Sequence, residues 1–583
     1  MIMKIRYINI KLSLIVLFFI TGCGKDFLEP SKELSLSVPE YYETLDEATI
    51  SGITGNMYGR DWFNYLDKAS CALQELYCGN GNTDDGAYIP FFNGTLNSAF
   101  NQLDFLWTTN FGIIKNCNLS INGFALALKE GEKFRAKVDA SPGLQAAVNT
   151  TIGELRFFRA ICYFNLVKWF GPVPLVYDNL YQMANPSSLN PITEEDIYGF
   201  IIRDLNDAIE KLPASRNASK ANALTKISAR ALLAKVYLTQ GGMPFGTASD
   251  YVQAASLSNE VITNPGGYAL MPTYHENFLP KYSLNNFPEE CLWGWKWSWT
   301  ALFTSYGTQN TLQSYFGSSH FTQSWDGWTA VKPSVDLRES YETGDLRRYS
   351  TIMEGGDKYP EFWTQYTFPG ETTPGYVYFD GSVSWGGPSA TGMHIRKHLA
   401  GRDNSGDGHI GEMHTEVYTP IIRLSDVYLT YAEAILGKNA STSDGTALAR
   451  FNAVRQRAGL QSVSSITYND IWNERRHEFA FEFQNTDDLF RYYQLYPQEV
   501  KAMIMNQKRG AYAIETAPFN INGVAQEFPA GQALKVITNK TYNDFKLPSV
   551  TDDYFKLPYP MSEVNGNPLL KNTPARFNFE LYQ

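Results

Sequence analysis

Several things are scarce in this 583-residue chain, and each absence removes a class of function. Only 19% of residues are charged, and 49 Lys and Arg stand against 60 Asp and Glu, for a net charge of −11 with no long basic block. A protein that tracks a phosphate backbone needs the opposite balance, so nucleic acid is not an expected partner. The six cysteines include no CxxC pair, which argues against a cysteine zinc site. There is no GxSxG elbow and no P-loop, and His477-Glu478 meets Phe481 where a zinc-protease helix needs its second His. Near the start, Leu12 to Ile20 is apolar apart from Ser13, but nine residues fall well short of the roughly 20 that cross a bilayer.

That short run makes sense as an address. Lys4, Arg6 and Lys11 precede it, small residues follow, and Ile20-Thr21-Gly22-Cys23 has the form of a bacterial lipobox. Residues 1–22 are therefore expected to be a lipoprotein signal peptide, with Cys23 acylated and the body held at a membrane surface. The remaining cysteines, Cys71, Cys78, Cys117, Cys162 and Cys291, are expected to be buried free thiols. On a helix over 71–78 the first two would lie about 10.5 Å apart, beyond the roughly 7 Å limit for a bridge.

Apolar residues recur at helical spacing in two blocks. Leu155, Phe158, Cys162, Leu166 and Trp169 run up to Gly171-Pro172-Val173-Pro174, and Thr193 then caps Ile197, Ile201, Leu205 and Ile209. A hairpin follows: Thr225 caps a segment with Ile227, Ala231, Ala234 and Leu238, and a second segment with Tyr251, Ala255 and Ile262 ends at Asn264-Pro265-Gly266-Gly267. Small alanines facing a tyrosine are similar to a tetratricopeptide repeat. A second block covers Asp426–Leu436, Ala447–Ala458 and Ile471–Phe483. The expected fold is mainly α, a TPR-like helical superhelix over about 40–265 and 421–500, with a large irregular aromatic-rich insertion containing short strands at about 268–420.

What the chain has in abundance is rings: 36 Tyr, 36 Phe and 12 Trp. Within the insertion, Trp293, Trp295, Trp297 and Trp299 alternate with small or polar residues at strand period, and the first three are expected in the core. Tyr306, Tyr315 and Trp325 sit farther on among Gly, Ser, Gln and Asn. A second polar-aromatic loop, 79–97, holds Asp84, Tyr88, Phe91, Phe92 and Asn93. Rings and amide side chains together suit a carbohydrate, because a pyranose stacks its apolar face on a ring while polar side chains bond its hydroxyls. Asp84, Tyr88, Phe91, Phe92, Asn93, Trp299, Tyr306, Tyr315 and Trp325 are thus candidate ligand-binding residues, and no residue is singled out as catalytic. Gly406–Gly411 spells GxGxxG, but no buried strand precedes it. The same stretch places Asp403, Ser405 and Asp407 at positions one, three and five of an EF-hand-like loop, a candidate structural calcium site, although His414 stands where a bidentate Glu belongs.

The strings Gly22-Cys23-Gly24-Lys25-Asp26-Phe27-Leu28, Glu154-Leu155-Arg156-Phe157-Phe158-Arg159-Ala160, Trp169-Phe170-Gly171-Pro172-Val173-Pro174, Pro333-Ser334-Val335-Asp336-Leu337, Arg423-Leu424-Ser425-Asp426-Val427, Tyr431-Ala432-Glu433-Ala434, Asn452-Ala453-Val454-Arg455, Glu474-Arg475-Arg476-His477-Glu478 and Leu557-Pro558-Tyr559-Pro560 occur in order along nearly the whole chain. In this the chain resembles the SusD-like (RagB/SusD) outer-membrane lipoproteins of the Bacteroidetes. One departure is Phe483-Gln484-Asn485-Thr486, where the family usually carries a glycine and an arginine. The resemblance implies a lipid-anchored, cell-surface glycan-binding protein that delivers oligosaccharides to a SusC-like TonB-dependent transporter without catalysis. It also implies a TPR-like fold, with the ligand site in the loop after Thr83-Asp84-Asp85 and in the loops of the insertion. Arg156, Arg159, Glu433, Glu474, Arg475 and Glu478 fall on helices and are expected to form internal ion pairs. Alternatives that keep these observations are a peptide or glycoprotein binder of the same fold, and a surface glycoside hydrolase.

Overall fold

The computed structural model describes residues 36–581 apart from 66–69, 216–222, 283–285, 299–309, 319–320, 322–326, 380–391, 402–409, 412–413 and 528–532. The chain forms two compact units, the smaller from residues up to Ile50 together with Ser120–Val148, the larger from Ser51–Leu119 and Asn149 onward. In the smaller unit, helix Val38–Thr44 starts on a capping box of Ser37 and Glu40. It packs on helix Glu132–Ala140, with Tyr42 buried against Phe124 and Phe134.

The larger unit is built on the part of helix α1 (Pro142–Phe170) from Asn149 onward, and on α2 (Glu194–Lys211), α3 (Lys226–Gly242), α4 (Ala248–Thr263), α5 (Leu424–Leu436), α6 (Gly445–Arg457), α7 (Tyr468–Phe479) and α8 (Asn485–Leu495). Their ends follow from local chemistry. Thr193 accepts a hydrogen bond from the Asp196 amide, three acids fill the first turn of α2 and Lys211 its last, which suits the helix dipole. Thr225 and Ser228 form a capping box on α3, as Thr247 and Asp250 do on α4.

Each helix of the run α2, α3, α4, α5, α6 packs on the next. The step from α4 to α5 crosses the whole insertion, and one apolar cluster of Leu238, Tyr251, Ala254, Ala255 and Ala434 seals it. The helical frame is therefore continuous in space although interrupted in sequence, as the pattern of apolar residues predicts.

Both ends of the insertion are pinned by strand β1 (Cys291–Trp295) lying antiparallel to β2 (Thr419–Arg423), with Trp295 opposite Thr419 and Trp293 opposite Ile422. Gly294 is required here, because a Cβ would come within 2.6 Å of the Thr419 carbonyl oxygen. Trp293, Trp295 and Trp297 are buried as expected. Trp62 stacks on Trp295 at 5.3 Å, and the Trp297 indole donates to Thr419 Oγ1 at 2.9 Å. Cys71, Cys78, Cys117, Cys162 and Cys291 are all buried and free.

The expected ion pairs are present. Arg156 and Arg159 share Asp204, Glu433 pairs with Arg491, and Arg475 bridges Asp426 and Asp488. Glu474 and Glu478 belong to a larger buried lattice. Arg423 contacts Glu290 at 2.5 Å, Glu478 at 2.9 Å and Glu482 at 2.6 Å, Arg457 reaches Glu290 and Glu478, and Lys397 reaches Glu482. Arg347 joins Asp345, Glu474 and Glu478. Residues 290, 345, 347 and 397 come from the insertion and the rest from the helical frame or its edge, so the lattice clamps the two together.

Two expectations are corrected and one element is added. The apolar run read as helix to Phe483 stops at Phe479, because Phe481 and Phe483 both adopt positive φ, 61° and 62°. Glycine takes this conformation without strain, whereas these two positions carry bulky rings. Cys71–Cys78 spans a π-helical turn, Ala72–Tyr77, rather than an α-helix. Beyond the helical frame, strands β3 (Ala511–Pro518) and β4 (Lys535–Asn543) form an antiparallel ribbon that the helical reading did not include.

Candidate functional site

The two loops singled out in the sequence meet. Immediately after the π-helical turn, Gly81-Asn82 pairs antiparallel with Lys332-Pro333, and Thr83 Oγ1 donates to the Ala330 carbonyl at 2.7 Å. Lys332 is 2% exposed, and its Nζ reaches Oδ1 of Asp84 at 2.6 Å, while the Asp84 side chain remains 69% exposed. A buried cation thus holds an open carboxylate in place. The Thr83 hydroxyl accepts from the Asp85 amide, and Asp85 accepts from the Ala87 amide, closing the turn before a one-turn helix, Ile89–Asn93. That helix ends on Gly94 at φ 69°, where a Cβ would strike the Tyr554 ring at 2.7 Å.

The candidate rings separate by burial. Phe92 is half-buried and stacks on Phe545 at 5.3 Å with an interplanar angle of 22°. Asn93 is half-buried, and its side-chain oxygen accepts from the Thr95 amide and hydroxyl. Three rings read as ligand-facing are not at the surface. Phe91 is 0% exposed between Phe100 and Tyr77, because one turn of helix carries two adjacent rings and only one can point outward. Tyr88 and Tyr315 are 3% and 6% exposed and meet edge to face at 6.1 Å. Tyr315 in turn meets the half-buried Trp328 at 5.1 Å, so the two tyrosines support Trp328 instead of presenting their own faces. Trp299, Tyr306 and Trp325, Cys23, and the calcium-loop residues Asp403, Ser405 and Asp407 lie outside the described residues. Among the described residues no cluster of metal-ligating side chains is found.

Sequence reasoning noted Trp328 among the loop rings without choosing it as a site residue, and passed over Lys332, Arg509 and Phe545. Trp328 was legible as one ring among many in a polar stretch; the others carry no local signal, since each acts on a residue hundreds of positions away. Arg509 is fully buried and donates to the carbonyls of Phe92 at 2.7 Å and Tyr77 at 2.8 Å, fixing the backbone of the early loop.

Under this loop lies a buried carboxyl, Glu75, which accepts from Asn80 Nδ2 and from the Phe483 amide, both at 3.0 Å. Burial pushes it up to about 7, against the hydrogen bonds and the nearby Lys397, which favour ionisation. Folded Glu75 therefore holds its proton more tightly than the unfolded chain does. Its contribution to stability is complete below the unfolded value near 4.5 and is lost as pH rises through 7, on the order of 3 kcal/mol in all. Glu75→Gln, which mimics the protonated form, should lose less stability than the natural protein between pH 5 and pH 8 in urea titrations. Parallel pH profiles would show that Glu75 does not titrate there.

Two other groups have the makings of a catalytic site. His275 lies 3.0 Å from Ser350 Oγ and 3.0 Å from Glu361 Oε1, but Ser350 is 1% exposed and Glu361 is also bound by Arg396. His477 is buried, bonded to Ser340 and stacked on Tyr341. Burial and the neighbouring Arg347, Arg476 and Arg455 push it well below the usual range and keep it neutral.

Comparison with known proteins identifies the family and the fold. The SusD family pattern matches residues 214–575, and a second pattern, described as starch-binding associating with outer membrane, matches 69–238. A SusD-like protein of Bacteroides ovatus is 30% identical over 573 residues, 96% of each chain. SusD-like protein P2 of Formosa agariphila is 25% identical over 82% of this chain and 89% of its own. A crystal structure with xylogluco-oligosaccharide superposes at a TM-score of 0.73 and 29% identity, covering 91% of this chain and 99% of that one. No helix among the described residues is long and apolar enough to cross a membrane. Matched over almost its whole length, and with its helical stack closed across the insertion, the chain belongs to the SusD family.

Proposed function

We propose that this protein captures oligosaccharides at the cell surface, tethered through Cys23, and delivers them without cleavage to a SusC-like TonB-dependent transporter. The observation that carries the reading is the pairing of half-buried rings, Phe92 and Trp328, with the open Asp84 carboxylate, on two loops joined by a strand pair. Rings supply an apolar stacking face and the carboxylate accepts from vicinal hydroxyls, which together match a pyranose. The relative solved with xylogluco-oligosaccharide supports the ligand class.

Calorimetry against a panel of neutral oligosaccharides and a peptide pool tests this. Phe92→Ala should weaken glycan binding by about 1–3 kcal/mol, in the range of ring stacking on a planar ligand. Chromatography should show the oligosaccharide at unchanged chain length after hours of incubation. Binding confined to peptides, or shortened products, would replace this reading.

A further inference from the structure

The early loop does not stand alone: residues at the open end of the C-terminal ribbon and in the segment after it hold it. Arg509, two residues before β3, bonds the Phe92 carbonyl. Its own carbonyl accepts from Asn82 at 2.7 Å, and Gln507 donates to the Cys78 carbonyl at 2.8 Å. The ribbon opens with Ala511 opposite Asn543, and the Gly510 amide donates to the Tyr542 hydroxyl at 3.1 Å. Two residues past β4, the ring of Phe545 stacks on that of Phe92, and Leu547 and Tyr554 then crowd Gly94. Both residues stand at the same, open end of the ribbon, so that the strand entering it fixes the backbone of residue 92 and the strand leaving it fixes the ring.

We infer that Phe545 is a positioning residue of the glycan site, holding the Phe92 ring in the orientation that meets the sugar; this rests on the glycan-binding reading above. Phe92 sits on a single helical turn anchored by its buried neighbour Phe91, whose ring points away from it into the core, so the stack on Phe545 is what orients the Phe92 ring. An offset stack covers one face of it and selects its rotamer. The ordering cost is then met during folding, before a ligand arrives. The ribbon, more than 400 residues away in sequence, becomes part of the receptor.

A double-mutant cycle read by calorimetry, with xylogluco-oligosaccharide and a panel of other neutral oligosaccharides as probes, separates this from a merely structural role. Phe545→Ala should weaken binding about three- to tenfold in the natural background but less than about twofold once Phe92 is already Ala, because the two act through one ring. Phe545→Tyr, which keeps the stack, should restore affinity. Independently of any ligand, the fluorine resonance of fluorophenylalanine at position 92 should shift and broaden in Phe545→Ala and return in Phe545→Tyr. An unmoved resonance, or equal losses in both backgrounds, would overturn the inference while Phe92→Ala still weakened binding and the glycan reading stood. A natural protein that binds no oligosaccharide of the panel would overturn the glycan reading, and the inference with it.

Discussion

Arg423→Ala should cost about 3–5 kcal/mol of stability, the loss seen when one partner of a buried ion pair is removed and the others remain. Arg423 is at the centre of the lattice, in contact with Glu290, Glu478 and Glu482, and its guanidinium also lies over the Phe479 ring at 5.0 Å. Burial alone would raise the Glu478 carboxyl, but Arg457, Arg423 and Arg347 overcome it and hold the group well below the usual range. Glu290 is lowered in the same way, with Arg457 and Arg423 outweighing its burial. Without Arg423, three buried carboxylates lose their most central counter-charge. The sign with pH follows: carboxyls depressed in the folded state contribute stability above their unfolded values near 4.5 and lose it in acid. Arg423→Ala should therefore flatten the acid limb of the stability profile as well as lower its plateau. Removal of the exposed pair Lys508–Glu339 by Lys508→Ala is the control and should leave stability nearly unchanged. Urea titration at pH 7 measures both, and an Arg423→Ala loss no larger than the control's would mean that the lattice does not clamp the insertion.

Phe91→Ala should destabilise the fold by about 3–5 kcal/mol, whereas Phe92→Ala next to it should leave the melting temperature nearly unchanged. Phe91 is enclosed by Phe100 and Tyr77, and truncation leaves a cavity that the packed neighbours cannot fill. Phe92 loses only its stack on Phe545 and the contact of one half-buried ring. The pair thus exchanges roles between two assays, Phe91 dominating denaturation and Phe92 dominating ligand binding. Equal losses of stability at both positions would show that Phe92 is core as well, and that the early loop offers no ring to a ligand.

That contrast also marks where sequence reading succeeds and where it stops. Helix starts at Thr193 and Thr225, the buried alternation of Trp293, Trp295 and Trp297, and the helix-borne ion pairs were legible because caps, periodicity and charge act within a few residues of their cause. The stack across the insertion was legible because α5 repeats the small-residue face of α3 and α4. Which of Tyr88, Phe91, Phe92 and Tyr315 meets water was not, since a single helical turn has no period to read and its orientation is set by Phe100, Phe545 and Tyr554 from far along the chain. The end of α7 was misplaced for a related reason. Phe481 and Phe483 continue the apolar pattern, yet tertiary contacts, the His398 ring stacked on Phe483 and its Nε2 hydrogen-bonded to the Phe481 carbonyl, hold them in left-handed conformations that pattern alone does not reveal. The ribbon β3–β4 does carry strand-like sequence, but it falls after the helical frame, where no apolar period announces a core.

The most direct measurement is a crystal structure of the protein soaked with the oligosaccharide that calorimetry selects. A sugar ring lying flat on Phe92 or Trp328, with a hydroxyl within hydrogen-bond distance of the Asp84 carboxylate, is the expected result; a glycan bound away from both rings, on a part of the surface that neither loop reaches, would contradict it.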